Sequence, residues 1–151
     1  MLKRDYEGQN CSIARALEIV GERWTLLIIR DAFLGVTRFE DFHERLGISR
    51  NVLNQRVGSL VDAGVLERVA SCEHPPRYDY RLTDKGRDLW PVVTAMRQWG
   101  DRWAAPDGPP ILYEHAGCGG GMHTQLRCTT CGDVPASADV TVRPGPGFAV
   151  A

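Results

Sequence analysis

One segment, residues 49–63, constrains the fold more than any other part of this 151-residue chain. At the 100° per residue of an α-helix, its apolar residues fall on one side, while the opposite side is rich in side-chain amides. The apolar side has Leu53, Val57, Leu60 and Gly64, and the other side has Asn51, Asn54 and Gln55. A helix divided in this way buries one face and leaves hydrogen-bonding groups on the other.

The flanking sequences predict a helix-turn-helix followed by a hairpin. Upstream, Phe39, Phe42 and Leu46 repeat at helical spacing, and Gly47 leads through a turn to Ser49, a residue type that commonly caps a helix N-terminus. Downstream, residues 65–69 and 78–82 alternate as two strands do, with a proline-containing loop between them. The second helix of such a motif typically enters the DNA major groove, and the hairpin would form a wing.

The second helix and the wing carry the residues that we expect to contact double-stranded DNA. Amide side chains suit the edge of adenine, and arginines suit phosphates or the minor groove. The predicted DNA-binding set is Ser49, Arg50, Asn51, Asn54, Gln55, Arg56, Arg68 and Arg77. The positive excess of this region is modest, and so we expect that a homodimer is needed for useful affinity.

Several motifs resemble the HxlR family of bacterial transcriptional regulators. They are the run CSIARALEIVGERWTLLIIRD at residues 11–31, then residues 38–42, 60–64, 75–78 and 80–82 with the following Thr83. They occur in the family's order and cover roughly residues 8–104. The resemblance implies a winged helix-turn-helix fold, DNA binding and a homodimer whose terminal helices pack together. It also implies, for some members, sensing of oxidants or electrophiles by a cysteine near the position of Cys11.

Hydrophobic periodicity predicts three further helices. Residues 12–20 form an amphipathic helix, and residues 22–34 are apolar nearly all round, which indicates a central core helix. A helix that starts at Thr83 would carry an apolar stripe ending in Trp99 and Trp103, with a kink at Pro91. We expect this stripe to form a subunit interface with residues 12–20, and packing within the chain is the alternative.

Composition and targeting features limit the other function classes. No apolar run approaches a membrane span and no signal peptide opens the chain, so we expect a cytoplasmic protein. Thiols stay reduced there, and the five cysteines are therefore candidate metal ligands, sensors or core residues before disulfides. The sequence has no Ser/His/Asp arrangement and no phosphate loop, and its four histidines are scattered, so we expect no enzyme activity.

Cys11 is a candidate redox-sensing residue. It precedes the first predicted helix, and a helix N-terminus can lower the pKa of a thiol. The alternative is a small buried residue at the start of the helix. A small-molecule effector bound between the dimer helices is a further hypothesis.

The character of the sequence changes after residue 105, where Gly, Cys and His become dense. We therefore predict a DNA-binding and dimerisation domain over residues 1–105 and a β-rich appendage over residues 106–151. The appendage contains His115 with Cys118, and Cys128 with Cys131, each pair separated by two residues and followed by glycine. This spacing matches the half-sites of a zinc ribbon, and the four side chains would complete a tetrahedral structural zinc site. The alternatives are core thiols without a metal, or His123 as a competing ligand.

The sequence thus predicts a mainly α-helical fold with a small β-hairpin wing: a winged helix-turn-helix domain followed by a small zinc-ribbon-like appendage. The predicted function is sequence-specific DNA binding by a homodimeric transcriptional regulator, with a response to redox state or a small molecule as an added hypothesis. The alternative is a winged-helix module that binds proteins and not operators. A salt-dependent shift of duplex DNA would distinguish the two.

Overall fold

The computed structural model describes residue 6 and residues 8–148. In chain order the elements are α1 (Ser12–Val20), α2 (Thr25–Phe33), α3 (Phe39–Leu46), α4 (Arg50–Asp62), β1 (Leu66–Ala70), β2 (Tyr78–Leu82), α5 (Asp84–Arg87) and α6 (Trp90–Trp103), followed by a 3₁₀ turn at Ser137–Asp139. One compact unit ends at Trp90 and a second begins at Pro91. The outer ends of the two domains predicted from sequence, residues 1–5, 7 and 149–151, lie outside the described residues.

The core of the first unit is built from α2, α3 and α4 together with the wing. Ile28 and Ile29 of α2, Phe42 of α3, and Leu53 and Leu60 of α4 are fully buried. Removing side chains of this size from water contributes about 1.5–3 kcal/mol each to folding. The apolar side predicted for α4 is therefore confirmed at Leu53, Val57 and Leu60 but not at Gly64, which is exposed beyond the end of the helix. The amide side is turned away from the core.

The turn between α3 and α4 has the predicted chemistry at both ends. Gly47 ends α3 with a left-handed backbone, φ 63°, and its N–H donates to the His43 carbonyl at 3.0 Å. Glycine adopts this conformation without the steric cost that other residues incur. Ser49 caps α4, since its hydroxyl oxygen accepts a hydrogen bond from the Val52 N–H at 3.3 Å. These two residues set the direction in which α4 leaves the turn.

The wing is a two-stranded antiparallel hairpin in which Leu66 pairs with Leu82 and Ala70 pairs with Tyr78. A further bridge, which the sequence did not predict, joins Arg38 to Asp79. The Tyr80 N–H also donates to the Thr37 carbonyl at 2.7 Å. The segment before α3 therefore pairs with β2, and this pairing fixes the wing to the helix-turn-helix.

A buried carboxylate ties α2 to α3. Asp31 is fully buried, with Arg30 Nη2 at 2.8 Å and Arg45 Nε at 3.4 Å from its carboxylate oxygens. A buried charge is tolerated only when it is paired, and loss of one partner of such a group is strongly destabilising. The arginine from α3 thus helps to hold the first helix of the helix-turn-helix against the core.

The predicted kink at Pro91 is wrong. The chain forms a short α5, ends it at Arg87, and begins α6 at Trp90. Pro91 lies in the first turn of α6, where a backbone N–H would have no intrahelical acceptor, so its missing donor costs nothing there. Among the described helices none is long and apolar enough to span a bilayer.

The expectation of a β-rich appendage is also wrong for the described residues. After α6 the described residues form no strand, and their sheet-like pairing is limited to one isolated bridge between Glu114 and Gly121. The segment is rich in Gly and Pro and lacks a sustained alternation of apolar residues, so it has no face to bury in a sheet. The predicted domain boundary at residue 105 placed α6 in the first domain. The second unit instead begins at Pro91, so α6 belongs with the segment that follows it.

Candidate nucleic-acid interface

The exposed face of α4 carries three amide side chains that are free to bind a partner. Asn51, Asn54 and Gln55 are all exposed. Within the described part of the chain, none of their side-chain amides forms a hydrogen bond. Each amide offers a donor and an acceptor side by side, which is the pattern that recognises an adenine edge. The face therefore has the hydrogen-bonding groups needed to read base pairs in a major groove.

Arg50, in the first turn of α4, is already paired. Its guanidinium donates to both carboxylate oxygens of Glu40 in α3, with 2.6 Å between Nη2 and Oε2. The hydrogen bond and charge of Glu40 raise the pKa of Arg50, and those of Arg50 lower the pKa of Glu40. The arginine is thus held at the edge of the amide face with its charge neutralised in the free protein.

Arg56 has a role that the sequence did not reveal. Its Nη2 lies 2.9 Å from Glu22 Oε2, and its Nε donates to the Arg23 carbonyl at 3.1 Å. The side chain is only 23% exposed. It connects α4 to the turn between α1 and α2, and its place as a phosphate contact stays a prediction.

The arginines of the wing differ in their surroundings. The Arg68 guanidinium stacks 3.8 Å from the centre of the Tyr78 ring, while Arg77 Nε lies 3.4 Å from Glu73. Glu73 also faces Arg38 Nη2, at 3.6 Å. An open groove of about 460 Å³ lies between the start of α3 and the wing, and its lining comprises Arg38, Phe39, Glu40, Asp41, Arg77, Tyr78 and Tyr80.

The predicted DNA-binding residues of α4 and of the wing therefore all lie in the first unit. They form two surfaces: one on α4 that is rich in side-chain amides, and one on the wing that is rich in arginines. Sequence reasoning missed Arg38 and the acidic partners Glu40 and Glu73. The position of Arg38 just before a helix start is a weak signal. The Arg38–Glu73 and Arg50–Glu40 pairs join residues too far apart in sequence to be read from local spacing.

Cys11 is exposed, so the alternative of a small buried residue is wrong. It stands at the N-cap of α1, where the N–H groups of Ala14 and then Ile13 lower the pKa of its thiol. An exposed thiol with a lowered pKa has the features of a reactive cysteine.

The predicted zinc ligands form two pairs. His115 Nδ1 lies 3.4 Å from Cys118 Sγ. In the second pair, hydrogen bonds from the Cys131 and Thr130 amides and from the Cys131 thiol lower the pKa of Cys128 to about 7. Across the described residues, no three His, Cys, Asp or Glu side chains are grouped so that they could hold one ion. The structure thus assembles each pair but not the set of four, and the zinc site stays a prediction.

Helix α6 exposes large apolar side chains. Trp99 and Trp103 are each 65% exposed and Met96 is 56% exposed. Beside them is a groove of about 350 Å³, lined by Ala95, Gln98, Trp99, Arg102, Trp103, Thr124 and Leu126. In the first unit, α1 likewise exposes Ile13 and Leu17. Exposed apolar surface of this kind is typical of interaction sites.

Comparisons with known proteins agree with this geometry. The family model described as HxlR-like helix-turn-helix matches residues 19–108. An uncharacterised HTH-type transcriptional regulator of Mycobacterium tuberculosis, Rv3095, is 47% identical over 148 residues, which cover 97% of this chain and 92% of that protein. PA1607, whose crystal structure is titled as that of a candidate transcription factor, matches with a TM-score of 0.84 and 37% identity over 91% of this chain and 97% of its own. The redox regulator HypR in its oxidised form matches with a TM-score of 0.57 and 28% identity over 61% of this chain and 96% of its own.

Proposed function

The chain belongs to the HxlR-like helix-turn-helix family and is a DNA-binding transcriptional regulator, and we propose that it reads its operator through the amide face of α4. The observation that carries this proposal is the unpaired state of the side-chain amides of Asn51, Asn54 and Gln55 within the described residues. Amides that are exposed, unpaired and on one helix face can form paired hydrogen bonds to adenine without breaking internal contacts.

Phosphate binding would come from the edges of this surface. Arg68 and Arg77 of the wing are exposed, and Arg38 lies beside the same groove. Each arginine that replaces counterions on a phosphate adds to affinity without reading sequence. Because Glu73 partly neutralises Arg38 and Arg77, this contribution is modest in one subunit.

We assign dimer formation to the exposed apolar side chains of α6 and α1. Trp99, Trp103 and Ile13 are each more than three-fifths exposed, which is unfavourable in water for a lone subunit. A homodimer would cover such surface and double the number of DNA contacts. The groove beside Trp99 is the place where a small apolar effector would bind.

A redox response is a second proposed property, and it rests on Cys11. The thiol is exposed, its pKa is lowered by the amides at the start of α1, and a structural relative is titled as a redox regulator. Thiolates react with oxidants where thiols do not, so oxidation would begin at this residue.

Titration of fluorescent duplex DNA with the full chain at several salt concentrations tests the proposed function. We expect binding that weakens linearly on a plot of log affinity against log salt, with a sequence-dependent part that persists at the higher salt concentrations. A protein-interaction module would bind no duplex at any of these salt concentrations.

A further inference from the structure

The tail contains two turns of different sequence with the same backbone. The first runs from His115 to Gly120 and the second from Cys128 to Asp133. In each, the first residue donates its N–H to the last carbonyl at 2.8 Å, and its carbonyl accepts from the glycine four positions later, at 2.8 Å and 3.0 Å. Those glycines have φ of 70° and 79°. The chain therefore forms the same turn twice, and the two candidate ligands occupy the first and fourth positions of each turn.

The spacing of the donor atoms fits a metal ion. A tetrahedral zinc with bonds of about 2.3 Å to sulfur and about 2.0 Å to nitrogen holds those two atoms roughly 3.5 Å apart. His115 Nδ1 and Cys118 Sγ lie 3.4 Å apart. The second turn has the same pattern of backbone hydrogen bonds, so Cys128 and Cys131 occupy the positions that His115 and Cys118 hold in the first turn.

One face of α6 positions the segment that contains both turns. Arg97 stacks 4.3 Å from the ring of Tyr113, which precedes the first turn. Between the turns, the Thr124 N–H donates to Gln98 Oε1 at 2.7 Å, and the Thr124 and Thr94 hydroxyls are 3.0 Å apart. The two turns thus leave α6 from neighbouring points, with only a short connection between them.

The rest of the tail has little else to hold it. Leu112, Leu126 and Val142 are between 69% and 95% exposed, so they contribute no core. Segments of this size usually need a metal or a disulfide to be stably ordered. The segment contacts α6 through the stacking of Arg97 on Tyr113 and through hydrogen bonds, and Cys118 and Cys131 stay exposed.

We propose that His115, Cys118, Cys128 and Cys131 bind one structural zinc ion that joins the two turns. Three thiolates and one imidazole fill a tetrahedral site and leave no position for water, so the role is structural and not catalytic. Within the described residues these side chains stand as two pairs, and binding brings the pairs together on one ion. The amide face of α4 lies in the first unit, which has its own core and ends at Trp90, so the proposed zinc ligands are separate from the residues that read bases.

Elemental analysis of the full chain, expressed with zinc in the medium and purified without chelator, tests the proposal. We expect about one zinc per chain. Replacing the zinc with cobalt(II) should give visible absorption bands of a tetrahedral thiolate site. Chelation should make residues 106–148 sensitive to protease while the far-ultraviolet circular dichroism keeps most of its helical signal.

Matched variants identify the ligands. His115→Ala, Cys118→Ser, Cys128→Ser and Cys131→Ser should each lose most of the zinc, and His123→Ala and Cys72→Ser should keep it. Circular dichroism confirms that each variant remains folded. Zinc that is absent from the wild-type protein, or that survives in His115→Ala and Cys118→Ser, overturns the four-ligand site. A Cys128–Cys131 disulfide in place of bound zinc also overturns it.

Discussion

Arg50 of α4 and Glu40 of α3 form a two-pronged ion pair across the turn of the helix-turn-helix, with 2.6 Å between Nη2 and Oε2. Arg50 lowers the pKa of Glu40, so the pairing favours the ionised carboxylate. The pair holds an arginine at the entrance of the proposed recognition surface but cancels its charge. DNA binding must therefore either keep this pair beside the bases or replace Glu40 by a phosphate.

The first prediction concerns this pair. Glu40→Gln removes a negative charge from the DNA-facing surface and frees Arg50 to contact a phosphate. We expect tighter binding to duplexes of any sequence at low salt, with a slope of log affinity against log salt that is steeper by up to about 0.9 per subunit. Fluorescence anisotropy at several salt concentrations measures both quantities.

Glu44→Gln is the control for that experiment, since Glu44 lies on the same helix, is exposed, and forms no ion pair within the described residues. It changes the net charge equally. The same gain in both variants would mean that net charge alone is responsible and that Arg50 is not released.

The second prediction concerns Arg56, which links α4 to Glu22 and to the Arg23 carbonyl. Arg56→Ala should lower the free energy of unfolding by about 1–2 kcal/mol, because it removes a hydrogen bond from a charged donor and an ion pair whose arginine is only 23% exposed. Urea unfolding followed by circular dichroism measures the loss. Arg50→Ala, at an exposed ion pair, should leave the unfolding midpoint nearly unchanged, and equal midpoints for the two variants would refute the tether.

The third prediction is a pH dependence at Cys11. The amides of α1 lower the pKa of its thiol, so the thiolate should be present at lower pH in the folded protein than in the unfolded chain. The alkylation rate of a variant that keeps only Cys11 should therefore rise with pH around a lower midpoint when folded than in urea. Equal or reversed midpoints would show that the helix start does not activate this thiol.

The functional consequence of that reactivity needs a separate comparison. If oxidation of Cys11 governs DNA binding, then oxidant should release DNA from the wild-type protein and leave Cys11→Ser bound. A Cys72→Ser variant, altered at the exposed thiol of the wing loop, should respond as the wild type does. Release from Cys11→Ser at the same oxidant concentration would remove the redox proposal.

The fourth prediction concerns assembly. Because Met96 and Trp99 are exposed on α6, the double change Met96→Glu and Trp99→Glu should produce folded monomers. Their DNA affinity should fall and their salt slope should be about half that of the wild type, since one subunit makes half of the phosphate contacts. Val142→Glu, at an apolar residue that is 95% exposed outside α6, should leave the dimer intact. Analytical ultracentrifugation decides the point, and a monomeric wild-type protein at micromolar concentration would contradict the dimer.

The helix-turn-helix and wing were predictable from sequence because several local features agree there. The helical spacing of Leu53, Val57 and Leu60 coincides with a capping Ser49 and a left-handed Gly47. The hydrophobic periodicity and the capping residues therefore indicate the same helix boundaries, and α4 differs from its prediction by one residue at each end. Agreement of this kind between levels is typical of segments whose structure is locally determined.

The contacts that join distant segments were not predictable. The Arg56 hydrogen bond spans 33 residues, and the Arg38–Asp79 bridge links the start of α3 to the wing. Neither contact can be predicted from the spacing of residues along the sequence, since the partners come together only when the core has formed. At Pro91 the prediction failed differently: proline can either kink a helix or begin one, and the sequence does not say which.

In the tail, each of the two predicted ligand pairs lies in a turn of the same backbone geometry, whereas the strands expected around the pairs are absent from the described residues. The glycine after each second ligand supplies the positive φ that the turn requires. The described part of that segment lacks the alternation of apolar residues that a strand needs, and it contacts α6 through polar side chains such as Gln98.

The most direct measurement of the central claim is selection of bound fragments from genomic DNA by the wild-type protein and by an Asn51→Ala/Gln55→Ala variant. The wild type should enrich a motif with two related half-sites about one helical turn apart. The variant should still bind duplexes but lose about 1–3 kcal/mol of discrimination at each base pair that the missing amides read. The same motif enriched equally by both proteins, or no enrichment by a folded wild-type dimer, would contradict reading of DNA by the amide face of α4.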